Sequence, residues 1–63
     1  MTSFEQAIAR GKLEYAEKYG YSKLADLDQI RRLLGYQVDY AEDKSQAVIH
    51  APHGNVTVKI KLE

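Results

Sequence analysis

An α+β fold in the order α-α-β-β-β, two helices packed on one face of a three-stranded antiparallel meander, is predicted by three observations. The last third of the chain alternates apolar and polar residues in three runs: Tyr36-Gln37-Val38-Asp39-Tyr40, Ala47-Val48-Ile49-His50-Ala51 and Val56-Thr57-Val58-Lys59-Ile60-Lys61-Leu62. A period of two marks a strand with one wet face. Turn-forming residues separate the runs, Asp43-Lys44 and then Pro52-His53-Gly54-Asn55. Ahead of them lie two stretches with apolar residues at helical spacing, each followed by a glycine, Gly20 and Gly35.

The first helix is predicted over residues 4–19. Thr2 or Ser3 followed by Glu5 and Gln6 forms overlapping capping boxes, in which a hydroxyl accepts from an early backbone N–H. Phe4, Ala7, Ile8, Gly11, Tyr15 and Tyr19 define an apolar face about 120° wide, which is expected to meet the core. Gly11 costs up to about 1 kcal/mol relative to alanine inside a helix, so its place on that face predicts close packing there. A second stripe, Ala9, Leu13 and Ala16, lies on the other side and is the candidate contact for a protein partner or a second copy.

Tyr21-Ser22-Lys23 reads as a connector. The second helix is expected over residues 27–34, with Asp26 as cap, Leu27, Ile30, Leu33 and Leu34 as its apolar positions, and Gly35 as its stop; an earlier cap at Ser22 would add Leu24 to the run. Two turns of helix do not hold themselves together in water, so packing must hold them.

Strand pairing follows by arithmetic. An Asp43-Lys44 turn sets Tyr40 opposite Ala47, Val38 opposite Ile49 and Tyr36 opposite Ala51, with all apolar residues on one face. A Gly54-Asn55 turn sets Ala51 opposite Val58, Ile49 opposite Ile60 and Ala47 opposite Leu62. A four-residue turn over 52–55 shifts that register by two and keeps the faces. The last strand is expected to be a free edge guarded by Lys59 and Lys61.

Sixty-three residues allow one domain, residues 1–63, with one small core. Such a chain buries only about 60% of its unfolded surface, which makes self-association advantageous. There is no cysteine, hence no disulfide framework and no thiol nucleophile, and a reducing, cytoplasmic setting is expected. The N-terminal residues lack the pattern of a signal peptide, and no apolar run approaches the roughly 18 residues of a membrane span. Nine basic residues balance nine acidic ones, so no overall field draws the molecule to phosphates.

The wet face of the predicted sheet collects Gln37, Asp39, Gln46, Val48, His50, Thr57, Lys59 and Lys61, with Gln37, His50 and Lys59 side by side. His50 is the residue there able to act as acid or base near neutral pH, with Asp39 diagonal to it. The ordinary reading of a single histidine on an exposed strand is a solvated residue, and that reading is preferred. His50 and His53 lack a third metal ligand in the sequence, so neither metal nor cofactor is assigned. Tyr15, Tyr19, Tyr36 and Tyr40 fall on the predicted core faces, leaving Tyr21 as the freer tyrosine. Arg31 and Arg32 are read as a solvated helix surface.

Arg32-Leu33-Leu34-Gly35-Tyr36-Gln37-Val38, with the segment from Lys44-Ser45-Gln46 through His50-Ala51-Pro52-His53-Gly54 to Val56-Thr57-Val58, resembles the core of HicA-type toxins. These are small mRNA interferases with a double-stranded-RNA-binding-like fold, and the resemblance covers about residues 26–61. Where the family carries its catalytic histidine, this chain has Gln46, which cannot take a proton, so the resemblance implies loss of the nuclease chemistry. The family's closing helix has no counterpart here, and the first helix is an addition.

The expectation is thus a small, non-catalytic cytoplasmic binding or regulatory protein, phage- or plasmid-borne, that docks on a protein partner or forms a weak homodimer through Ala9, Leu13 and Ala16. The alternative is an RNA-binding module using Gln37, His50, Lys59 and Lys61 on the sheet face. Neither involves a membrane.

Overall fold

The computed structural model describes residues 3–61. Helix α1 runs Ser3–Tyr19, strand β1 Tyr21–Lys23, and helix α2 Leu24–Gln29, continuing as a π-helical stretch Ile30–Leu34; strands β2 Gln37–Tyr40, β3 Gln46–Ala51 and β4 Gly54–Lys61 complete the fold. The expected class, α+β with helices over a sheet, is what the chain adopts. The sheet has four strands rather than three, in the order β1-β4-β3-β2, with β1 parallel to β4 and the other pairs antiparallel.

The added strand is the expected connector. Gly20, with φ of 77°, ends α1 by donating its N–H to the Ala16 carbonyl at 2.8 Å. The chain leaves that turn extended, and the Gly20 carbonyl accepts from the Lys59 N–H at 2.9 Å, which starts a parallel ladder pairing Tyr21 with Lys59 and Lys23 with Lys61. The expected free edge along β4 is therefore covered over its last three residues, 59–61, and β1 and β2 are the outermost strands. Ser22 points inward and is 2% exposed, so it belongs to the strand and does not cap the second helix. That helix begins at Leu24, with Lys23 at the N-cap making no side-chain cap bond, and Asp26 lies in its first turn instead of capping it. Gly35, in the left-handed region, closes the π-helical end. Leu27 and Ile30 are fully buried as expected, and Leu34 packs against the core.

The β2–β3 register is the expected one: Tyr40 opposes Ala47, Val38 opposes Ile49 and Gln37 opposes His50. Its loop is tied by Asp43, whose Oδ1 accepts from the Ser45 N–H at 3.0 Å and the Ser45 hydroxyl at 2.7 Å. Tyr36 falls outside the ladder but packs on the core beside it. The second hairpin differs. Ala51 opposes Gly54, Ile49 opposes Val56 and Ala47 opposes Val58, so Pro52-His53 forms the turn. Gly54 has φ of 139°, a conformation that side chains resist, and so sits at the closing rung. This register is four residues from the Gly54-Asn55 alternative and two from the four-residue turn. Both shifts are even, so the faces are unchanged. The expected Ala47–Leu62 pair and the Thr2 cap involve residues outside those described.

The largest correction lies in α1. The core consists of Leu13, Ala16, Leu27, Ile30, Val38, Ala47, Ile49, Val58 and Ile60, and Ala9 is buried alongside. The stripe expected to meet a partner is thus the helix's inner face, and docking through Ala9, Leu13 and Ala16 is ruled out by their burial. The face expected to be internal is outside: Phe4 is 74% exposed, Ile8 42%, Tyr15 43% and Tyr19 53%. The physical reason is size. Alanines let the helix axis approach the layer beneath, with Leu13 as the one large side chain inserted, whereas three aromatic rings would hold α1 too far away to cover a four-stranded sheet. Gly11 is likewise not closely packed, since a Cβ placed there would meet nothing within 4 Å.

Three variants test this arrangement. Ile49→Ala, at the centre of the core, is expected to cost about 2–5 kcal/mol, most of the stability of a domain this small. Leu13→Glu is expected to unfold the chain because it buries an unpaired charge, whereas Ile8→Glu is expected to melt close to the wild type. Circular dichroism melts of the three decide it; a folded Leu13→Glu variant would reject the inner-face assignment.

Candidate docking face and the polar sheet face

The outer face of α1 turns its aromatic residues towards the β1 edge. The Tyr15 and Tyr19 ring centroids are 4.6 Å apart, and Tyr15 and Tyr21 meet edge to face at 5.5 Å. The Tyr15 and Tyr21 hydroxyls hydrogen-bond at 2.8 Å, and Lys61 Nζ stands 5.3 Å from the Tyr21 ring centroid. Tyr21 is therefore engaged, not free, while Tyr15 and Tyr19 form the exposed part of the cluster. The hydroxyl contact with Tyr21, followed by partial desolvation, raises the Tyr15 phenol above its ordinary value.

Beside this cluster the missing side chain at Gly11 opens a groove of about 460 Å³, lined by Ile8, Gly11, Lys12, Tyr15, Tyr21 and Asp26 together with Lys23 and Lys61. Lys12 Nζ and Asp26 Oδ1, 2.9 Å apart, join α1 to α2 across it. A partly exposed pair of this kind contributes about 0–1 kcal/mol, so its effect is to orient the wall more than to hold the fold.

The face of the sheet away from the helices is polar and largely satisfied internally. His50 Nε2 lies 2.7 Å from Asp39 Oδ2, and its Nδ1 lies 3.1 Å from Asn55 Oδ1. Gln37 donates from Nε2 to the other Asp39 oxygen at 2.9 Å. Asp39 is held below the usual carboxylate range, first by the Gln37 amide and then by His50. A base needs a free nitrogen aimed at a substrate, and both nitrogens of this ring are occupied.

The four expected sheet-face residues do not converge. Gln37 and His50 are neighbours across β2 and β3, but Lys59 pairs with Gln46 and Tyr21, and Lys61 lies beside Lys23 on β1. The cause is the second hairpin's shifted register, which sets Asn55 in the place expected for Lys59. Asn55 is the partner of His50 that the sequence did not indicate, and Tyr21, read there as the freer tyrosine, lines the groove instead; Gly11 on an apolar helix face was the available signal for the groove. His53 turns away from His50 and contacts Glu17 on α1. Arg31 and Arg32 both pair with Asp28, at 2.8 and 2.9 Å, and hold its carboxyl below the usual carboxylate range, Arg31 most. Among the described residues no group of three or more His, Asp or Glu side chains is placed to hold a metal, and no helix is long and apolar enough to cross a membrane.

Tyr15 and Asp39 are shifted in opposite directions. The raised Tyr15 value means that its contribution to folding is complete below the ordinary tyrosine range and is lost as pH rises through the raised value. In an ultraviolet titration one of the five tyrosines is expected to ionise late, and Tyr21→Phe to bring it back. The lowered Asp39 value means a contribution present above the ordinary carboxylate range and lost as pH falls through the lowered value. Carboxyl NMR shifts should follow Asp39 to a midpoint below that of a model peptide, and Gln37→Ala should raise it; an unchanged midpoint would remove the bond as its cause.

Comparison with known proteins finds no matching family model, no matching curated protein and no matching solved structure.

Proposed function

We propose that the protein is a non-catalytic docking module that binds a protein surface through the outer face of α1. One observation carries this reading: the side of the helix with its largest apolar and aromatic side chains, Phe4, Ile8, Tyr15 and Tyr19, faces solvent beside a groove in a small chain. Exposed apolar patches with polar rims mark interaction sites in soluble proteins, and tyrosines are favoured there because a ring buries a large area while its hydroxyl keeps a polar partner. Lys12, Lys18 and Glu5 supply the rim. The occupied nitrogens of His50 support binding over catalysis.

A second reading is favoured by a different observation. Lys23, Lys59 and Lys61 stand together at the β1–β4 pair next to the Tyr21 ring, and cations beside an aromatic ring suit single-stranded RNA. The likeness to HicA-type toxins belongs to this reading, with Gln46 in the catalytic position.

A photo-crosslinking amino acid placed at Tyr19, and separately at Thr57 on the sheet face, separates the two in living cells of the source. The docking reading expects a polypeptide adduct from position 19 and none from position 57; RNA adducts at 57 alone would reject it. Binding to RNA oligonucleotides, should it occur, must weaken steeply with salt and be lost in a Lys59→Ala, Lys61→Ala variant. No RNA cleavage is expected from the wild type or from His50→Ala, and cleavage dependent on His50 would overturn the non-catalytic assignment.

A further inference from the structure

The outer face of α1 has a property that a general docking patch does not require. Its two halves fit each other. Phe4 and Ile8 project from the first half, and the second half offers the notch at Gly11, where a Cβ would meet nothing within 4 Å, followed by the exposed Tyr15 ring. At about 100° per residue these four positions lie within a band about 60° wide, roughly 135° round the helix from the buried stripe.

Resting on the assignment of this face as the docking surface, we propose that its occupant is a second copy of the same chain. The two α1 helices pack antiparallel about a two-fold axis that crosses between residues 9 and 10. Ile8 of each copy then seats over Gly11 of the other, and Phe4 of each stacks on Tyr15 of the other. This is an isologous contact: one patch serves both subunits, and it closes at two. Along the flank, Glu5 of one copy comes alongside the Lys12–Asp26 pair of the other, and a net charge of zero leaves no long-range repulsion between copies. With ring areas of about 150–250 Å² and the observed exposures, the stripe covers roughly 800 Å² over both copies. That lies below the standard interface of about 1,200–2,000 Å², so the dimer is weak and forms only in concentrated solution.

Sedimentation equilibrium of the purified protein at about 1 mM is expected to give a mass above that of the monomer, and Ile8→Glu to return it to the monomer with unchanged circular dichroism. Gly11→Gln provides the complementary test. It fills the notch from a position with open space, so Tm is expected to rise, as helix propensity favours glutamine over glycine, while association falls. The register is tested by disulfide formation, because the chain has no cysteine of its own. An equimolar mixture of Ile8→Cys and Gly11→Cys chains is expected to form the mixed disulfide at least about ten-fold faster than Ile8→Cys with Thr57→Cys, reflecting the higher effective concentration of facing residues.

A strict monomer at that concentration, undiminished association of Gly11→Gln, or equal rates for the two cysteine mixtures would each overturn the proposal. A purified monomer whose position 19 nevertheless crosslinks to a different polypeptide in cells would sink the self-pairing and leave the docking role of the face intact.

Discussion

A helix can lie close to the layer beneath it only where its side chains are short, and α1 meets that condition along one line, Ala9, Leu13 and Ala16. A domain of this size has room for one thin core, and the fold depends on α1 being near enough to close it. With alanines above and below Leu13, the helix approaches the π-helical turn and the sheet so that Leu13 reaches the cluster of Leu27, Ile30, Ile49 and Val58. The larger side chains of α1 are displaced outward by the same packing. The exposed aromatic face is thus a consequence of how the core closes.

The π-helical stretch and the β1–β4 pairing follow from the same demand. Leu27 and Ile30, three residues apart, face inward together, and the π-helical turn over Ile30–Leu34 ends the short helix with Asp28 bridging to Arg31 and Arg32 on its outer side. The three residues of β1 bring the chain from the end of α1 onto β4, so the end of the longest strand, residues 59–61, is paired by β1 where the ladder to β3, over residues 54–59, runs out. This places Tyr21 at the corner where helix face and sheet edge meet, and so draws Tyr15, Tyr19 and Lys61 into one cluster.

Polarity is distributed unevenly between the two exposed faces. On the sheet, the side chains spend their hydrogen-bonding capacity on one another, through Gln37, Asp39, His50 and Asn55. On α1, aromatic and aliphatic surface has no comparable internal partner beyond the tyrosine cluster. Water solvates the first arrangement well and the second poorly, which is why association is assigned to the helix and not to the histidine.

Much of the fold was legible in residues 36–61, because a period of two leaves one face apolar under any even shift of register. Ile49, Val38, Ala47 and Val58 were therefore bound to face inward even though the second hairpin pairs differently from the simplest turn. Gly20 and Gly35 marked the helix ends for an equally local reason, the positive φ that each adopts. The candidate site was far less legible. Apolar bulk ranks Phe4, Ile8, Tyr15 and Tyr19 above Ala9, Leu13 and Ala16, and so it points the wrong side of α1 at the core. Periodicity revealed that the helix carries two apolar stripes and local chemistry revealed where it stops. Which stripe is buried was decided only by tertiary packing, since the distance at which α1 can cover the sheet depends on side-chain volume across several elements and not on the apolar character of any one.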